Sequence, residues 1–528
     1  MKSREGEQHL IHYFSKHVPW SSYGTLLSRC SGFIRDQAAL VFFGFDPAVS
    51  LFVIIMRYVG MIRSLIGERA LMGAFLPTFI SMRSLNSGLA HQLFVFLKSS
   101  IVKGLSAIIS CGIIFLYYQL NGWESNAFKL AIWLIPSVLF FVQHNLHVIF
   151  LHCHHTFFLP SIAPCLCNGM WLLGLFLART KTGIDAMVVV SQWVFLGSIL
   201  QWLATWIPMR YLLPPKKIGT FSCRDVDWKP FLKKLIFTLP TVAVFQINSQ
   251  LDLLFADTMN IKGPAILGTT SRYYHLPITL FGTATLSAFL PLLTASIKGK
   301  RLEEAQSILG FAAEKLMGFM IPSTVILLYM ATPIMSLVNH KISWEDQETA
   351  SWCIRYYALG MLPSVFISLQ AGLQYAREHF LITIYSAIGS MLINFALNVS
   401  IWRWQIMGVE GLALATTISS VCHATSLYYM TKNKEWRFRL SIKPILEVVI
   451  GSLISGVLAF LLIPSGKIGL LDALLFLLSY PILLFFYAYL TKQPTLSALF
   501  ADYLPIHRLL PLFLAFKRGK KDPASRSI

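Results

Sequence analysis

An all-α polytopic membrane protein is the fold class this sequence predicts: about fourteen transmembrane helices, forming two six-helix pseudo-symmetric lobes followed by two C-terminal helices. Three observations carry that expectation. The 528 residues are 55% hydrophobic and only 13% charged, with a mean hydropathy of +0.62, outside the range of a soluble multidomain enzyme. Apolar stretches near the roughly 20 residues a helix needs to cross a bilayer recur along the chain. A pattern in the first half returns in the second at a nearly constant offset.

Taken in order, residues 1–17 are polar and charged, without the short apolar stretch and small-residue cleavage site of a secretory signal. The first span is therefore expected to be the targeting signal, with nothing cleaved. Six spans are predicted over 20–43, 48–80, 95–118, 130–151, 157–177 and 187–206, making an N-terminal lobe of 1–213. Gly44 to Pro47 marks the first turn, because glycine and proline punctuate helices. A basic connector follows at 214–234, with Pro214-Pro215-Lys216-Lys217 and Arg224. The next six spans are predicted over 235–256, 264–294, 308–337, 352–375, 380–402 and 409–430, within a second lobe of 235–431. Residues 432–528 supply two additional spans, 445–462 and 468–490, and a basic tail.

Loop charge sets the orientation. Lys2, Arg4 and Lys16 precede the first span; Lys216, Lys217, Arg224, Lys229, Lys233 and Lys234 follow the sixth; Lys432, Lys434, Arg437 and Arg439 follow the twelfth; Lys517, Arg518, Lys520 and Lys521 lie near the end. All fall on one side if the spans number fourteen. The other side receives Glu124 and the cluster Glu345-Asp346-Gln347-Glu348, expected to be a solvated loop. Both termini are thus predicted to be cytoplasmic. The formal charge of +20 is spread over loops, which suits an anionic lipid surface and not nucleic acid.

The repeat aligns Arg57-Tyr58, Gly67 and Ala74-Phe75-Leu76-Pro77 with Arg272-Tyr273, Gly282 and Ala288-Phe289-Leu290-Pro291, an offset of 215 residues closing to 214. Two halves of six spans are related by an axis along the membrane normal, the plan of a rocking transporter. Charges sit inside the first two spans: Arg29, Arg35, Asp36, Arg57, Arg63, Glu68 and Arg69. A cation at the bilayer centre costs roughly 2.5–3.5 kcal/mol on insertion scales, so these side chains are expected to face protein or a watery cavity. Arg29 and Asp36, seven residues apart, share a helix face about 10 Å apart along the axis. Gly32 between the arginines admits a close neighbour. Arg29 and Arg69 also have the alternative of snorkelling from helix ends.

Ser28-Arg29-x-x-Gly32-x-x-Arg35-Asp36, then Gly44, Arg63-x-x-x-x-Glu68-x-Ala70 and Ala74-Phe75-x-Pro77 resemble the amino-terminal signature of MviN/MurJ-type lipid II flippases, of the MOP exporter superfamily. The likeness continues through Gln246-Ile247, Asp252, Arg272, Pro277, Gly282 and Leu290-Pro291. Fourteen spans also match that family, whereas drug-exporting relatives typically have twelve. The departures are Ser50 and Ser271 where the family carries acids, Val59-Gly60 where it carries Pro-Asn, and Arg69 where it carries Gly. Losing the carboxylate at 50 leaves ion coupling open.

The resemblance implies a flippase moving lipid II, an undecaprenyl-pyrophosphate-linked peptidoglycan precursor, from the cytoplasmic to the outer leaflet of a bacterial inner membrane by alternating access. A planar guanidinium fork suits phosphate oxygens, so Arg29, Arg35, Arg63 and Arg272 are the expected substrate-binding residues. Asp36, Glu68 and Asp252 are expected to gate or to pair with them. Gly451, Ser455 and Gly456, with Ser452, are expected either to pack helices closely or to leave a furrow for the lipid tail. No catalytic residues, cofactor or metal are expected, and the partners are lipid II and membrane lipids. The alternatives are another MOP-superfamily exporter, of drugs or lipid-linked oligosaccharides, and a membrane-bound polyprenyl-phosphate transferase. An enzyme of that kind would need paired acids or a His-based set, and a drug-cation site would need membrane carboxylates. Eight cysteines, mostly in apolar segments, show no disulfide framework. His152-Cys153-His154-His155 is expected to be a polar loop and not a metal site.

Overall fold

The computed structural model describes residues 2–68, 87–154, 156–213, 229–336, 342–377, 379–431, 442–461 and 470–491, with Phe75, Phe79 and 495–496; side-chain detail begins at Tyr23. The N-terminal lobe holds α1 (Lys2–Phe43), α2 (Pro47–Arg63), α3 (Ser87–Gln119), α4 (Asn126–Cys153), α5 (Phe158–Ile162), α6 (Pro164–Ala178) and α7 (Gly183–Leu212). The second lobe holds α8 (Lys229–Met259), α9 (Gly263–Pro277), α10 (Thr283–Lys298), α11 (Leu302–Ser336), α12 (Trp344–Leu359), α13 (Met361–Ala376), α14 (Phe380–Trp404) and α15 (Val409–Met430); α16 (Ile442–Leu461) and α17 (Leu470–Thr491) follow. Three passes are each made of two helices, α5 with α6, α9 with α10 and α12 with α13, so these helices form fourteen passes. By length and composition alone, nine helical stretches among the described residues can cross a membrane.

Local chemistry explains the breaks. Gly44 adopts φ 60°, a left-handed conformation cheap only for glycine. Asp46 then accepts from Ala48 N at 2.7 Å, with Pro47 at the first helical position, the pairing that satisfies an orphan donor. Helix α2 ends in a π-helical turn, Ser64–Glu68, and a matching π turn, Ile278–Gly282, joins α9 to α10. Both repeats therefore loosen at equivalent places.

Two expectations need correction. The acidic stretch from Glu345 is not a loop: it opens α12, where Ser343 accepts from Asp346 N and Asp346 pairs with Lys262 at 2.7 Å. Acids in a first turn are favoured by the helix dipole. His152 and Cys153 lie in the last turn of α4, and His154 caps it, with Nδ1 3.0 Å from Phe150 O; His155 is outside the described residues. Connector 214–228, the segments 69–74, 432–441 and 497–528, and the Glu68 side chain are also outside them.

The lobes meet along the repeat itself. Ala265 N donates to Ser50 Oγ at 3.3 Å, and a Cβ on Gly268 would stand 2.7 Å from Val53 Cγ1. In both contacts residue i meets residue i + 215, as equivalent positions must where a two-fold axis passes between them. Glycine at 268 is what lets α9 approach α2 this closely. Tyr273 donates to Gln37 at 2.7 Å and Gln246 to Ser64 at 3.2 Å, tying α9 to α1 and α8 to α2.

Helices α16 and α17 pack on α11, with Ile321, Val325 and Met330 against Val448, Phe476 and Tyr480. The space beside Gly451 is filled by the Tyr487 ring, and that beside Gly456 by Val325 and Tyr329. Ser452 and Ser455 are buried. At Gly451 and Gly456 the neighbouring space is thus taken by protein side chains.

Candidate functional site

One cavity of about 480 Å³ brings together side chains from both lobes. Arg29, Arg35 and Asp36 come from α1, Arg63 from the end of α2, His144, Asn145 and His152 from α4, Asn168 from α6, and Arg272 and His275 from α9. Passes alternate in direction, so the α1–α2 turn and the α8–α9 turn lie at one end of the bundle. Arg35 is eight residues from the end of α1 and Thr25 is eighteen, which at 1.5 Å per residue puts the cavity about 12–27 Å from that end. The Ser50–Ala265 and Val53–Gly268 contacts lie between it and that end.

Arg35 is held on several sides. It is 9% exposed. Its Nε and one terminal nitrogen donate to Asp36 Oδ1 at 3.0 and 2.6 Å, and the other donates to Asn168 Oδ1 at 2.8 Å. The guanidinium carbon stands 3.9 Å from the Trp171 ring centroid. Charge-assisted bonds and a ring face together compensate the removal of a cation from water. Asn168 is itself fixed, donating to Ser28 O at 3.2 Å and Ser31 Oγ at 2.9 Å. A Cβ on Gly32 would lie 3.4 Å from its amide nitrogen, so the glycine makes room for this amide.

The other carboxylate oxygen of Asp36 faces the second lobe, 3.5 Å from Arg272 Nε. One acid thus bridges two arginines across the lobe boundary. The Arg63 guanidinium stands 5.2 Å from the Phe141 ring centroid, and Arg29 is exposed within the cavity. All four arginines singled out in the sequence line this one space.

Asp252 does not join them. It is buried in the second lobe, accepting from Asn398 Nδ2 at 2.7 Å and Thr416 Oγ1 at 3.1 Å. Its hydrogen bonds are to neutral groups, with Arg57 within electrostatic range. The Asn394 amide lies 2.9 Å from Asp252 Oδ1 and 3.1 Å from Asn248 Oδ1. With its NH₂ turned toward them the amide donates to both, and its oxygen accepts from Thr416 N at 3.3 Å, which satisfies this set. No group of three or more His, Cys, Asp or Glu side chains among the described residues could hold a metal.

Reading charges alone missed Asn168, Trp171, His144 and Asn145. A polar residue within an apolar run is itself a signal of function. Asn168 inside Cys165–Ala178 and the row Gln143-His144-Asn145 carried that signal.

Comparison with known proteins gives consistent matches. The family model described as "Lipid II flippase MurJ" matches residues 40–486. A protein described as "Probable lipid II flippase MurJ" from Chlamydia pneumoniae is 27% identical over 424 residues, 78% of this chain and 76% of its own. One with the same description from Haemophilus influenzae is 25% identical over 435 residues, covering 76% and 83%. Among solved structures, "Lipid II flippase MurJ, inward closed conformation" superposes with a TM-score of 0.72 at 24% identity, over 89% of this chain and 98% of that one. An inward-facing multidrug resistance MATE family transporter of the MOP superfamily gives 0.57 at 15% identity, over 77% and 93%. The fold is shared by both.

Proposed function

This chain belongs to the lipid II flippase MurJ family, a family of multi-pass membrane transporters, and on that footing we propose that it carries lipid II between leaflets by alternating access. The observation that carries the proposal is the cavity in which Arg29, Arg35, Arg63 and Arg272 converge from two lobes, with Asp36 bridging two of them. Arginine forks bind pyrophosphate oxygens bidentately. Asp36 competes for the same donors, so it holds the empty site together and must yield them when the polyanion enters. Binding and release are then nearly balanced, as a carrier requires.

The basic connectors and tail support a cytoplasmic location for both termini in a bacterial inner membrane. The α1–α2 end is then outer, and the Ser50–Ala265 and Val53–Gly268 contacts close the cavity from outside. The headgroup enters from the cytoplasmic side while the isoprenoid tail stays in lipid. Rocking of the lobes about their shared axis exposes the site to the other face.

A cationic-drug exporter is less well matched: the cavity has four arginines and one carboxylate, already engaged by two of them. The test is translocation of fluorescent lipid II in proteoliposomes of the purified full chain without ATP. Transport in the parent and its loss in Arg35→Ala and Arg63→Ala, both still inserted, are expected. Parent-level transport by both variants would remove these residues from the site.

A further inference from the structure

The cavity lining has two chemically different parts, and the proposed function uses only one. Arg29, Arg35, Arg63 and Arg272 come from α1, α2 and α9; α4, against which Arg63 packs through Phe141, contributes His144, Asn145 and His152 and no acid or permanent cation of its own. A volume of about 480 Å³ falls within the roughly 300–1,000 Å³ of pockets that enclose drug-sized groups. That is more room than a pyrophosphate alone needs.

The α4 wall is a prepared surface. His144 is 3% exposed, with Nδ1 3.2 Å from Thr205 Oγ1 on α7; Thr205 is fully buried and also lies 3.5 Å from His147 Nδ1. Thr205 thereby fixes the ring that lines the cavity, as an outer partner fixes a ligand. Beside it, Asn145 is 5% exposed and its Nδ2 has no hydrogen-bond acceptor among the described residues. A buried amide donor left without an acceptor costs about 1–3 kcal/mol. A ligand supplying an acceptor recovers that cost only if it sits against α4.

We infer that Asn145 and His144 form a second subsite, which takes the uncharged hydroxyl- and amide-bearing sugar next to the pyrophosphate, while the arginines hold the pyrophosphate itself. The inference rests on the lipid II reading of the cavity. Neutral donors and acceptors match sugar hydroxyls and N-acyl carbonyls. A site that hydrogen-bonds such groups rejects a ligand lacking them, because its own polar atoms are then left unpaired. The α4 wall would therefore make the carrier prefer a glycosylated polyprenyl pyrophosphate over the bare one.

The experiment measures binding of two lipids to the full chain in nanodiscs: lipid II, and undecaprenyl pyrophosphate without sugar. Asn145→Leu removes the amide while keeping the branched shape, and Thr205→Val removes the hydroxyl that positions His144. Each should weaken lipid II binding roughly two- to tenfold, the worth of one hydrogen bond, and leave undecaprenyl pyrophosphate within twofold of the parent. Weakening of both lipids alike in both variants, or of neither, overturns the subsite. Should Asn145→Leu prove too unstable to purify, Thr205→Val decides by the same criterion. A parent that binds neither lipid overturns the lipid II reading itself, which is a distinguishable result.

Discussion

Replacing Asp36 with asparagine tests the claim that this carboxylate holds the empty lobes together. The side chain keeps its shape and its acceptor for Arg35 but loses its charge. Its link to Arg272 Nε is 3.5 Å long, with side-chain exposures of 50% for the arginine and 16% for the acid. Unit charges at that distance attract by about 5 kcal/mol at an effective dielectric of 20 and by about 1 in bulk water. The half-exposed arginine places the pair toward the lower figure, at about 2 kcal/mol. Losing it shifts the lobe equilibrium by about thirtyfold, enough to invert the population of a switching protein. Spin labels at Leu159 on α5 and Leu292 on α10, both exposed, report the opening by double electron–electron resonance. The empty variant should show the longer distance, and lipid II should restore the shorter one, because the pyrophosphate replaces the missing charge. Lipid II affinity should rise, since no carboxylate competes for the arginines, while turnover falls through slow release. An unchanged distance distribution in the empty variant would refute the bridging role.

Three further outcomes are expected. Arg35→Lys should retain less than about a tenth of lipid II transport, because a point charge loses both the fork to Asp36 and Asn168 and the stack on Trp171; transport assays in proteoliposomes check this, and parent-level rates would argue against it. Gly268→Leu should break the close approach to Val53 and raise labelling of outer-end cysteines, with Val53→Ala partly restoring the parent pattern; unchanged labelling would move the outer closure elsewhere. Gly456→Leu should lower the melting temperature by about 1–3 °C, as overpacking by about 1–3 kcal/mol does in a chain of this length, and reduce transport of long- and short-chain substrates equally. A loss confined to long-chain substrates would return Gly456 to a tail groove.

Much of this architecture was legible because bilayers leave the chain few choices. Apolar length reports spans, and Gly44-Phe45-Asp46-Pro47 reads directly as a turn. The four arginines were legible for the same reason: a guanidinium placed mid-span has to find a cavity. Neutral polar residues carried only a general signal: nothing in an isolated Asn168 names Arg35 as its partner until α6 lies against α1. Small residues left a different question open. Gly451, Ser455 and Gly456 announce close approach without saying what approaches, and Tyr487, Val325 and Tyr329 are remote in sequence. Asp252 reads in the sequence as a gating or charge-pairing acid, and its neutral partners Asn398 and Thr416, about 150 residues away, become visible only in the fold.

The repeat gives these details a common logic. Asp36 lies on the first helix of one lobe and faces Arg272 on the second helix of the other. Shifted by 215 residues, Arg272 becomes Arg57, and Asp252 falls one position from the equivalent of Asp36. Asp252 and Arg57 are within electrostatic range of each other, again across the lobe boundary. The molecule therefore contains two crossed acid–arginine relationships about one axis, but they differ in state: the first is closed as an ion pair, while the acid of the second is engaged by Asn398 and Thr416. A rocking motion about the axis acts on both together, so closing one changes the separation in the other. Whatever neutralises Asp252, a cation or a proton, removes the attraction of the second pair and alters how strongly the lobes resist separation at the first. Asp252→Asn should accordingly change the lobe distances reported from Leu159 and Leu292 even though it touches neither the cavity nor its substrate; identical distances with and without the Asp252 charge would show that the two relationships are independent.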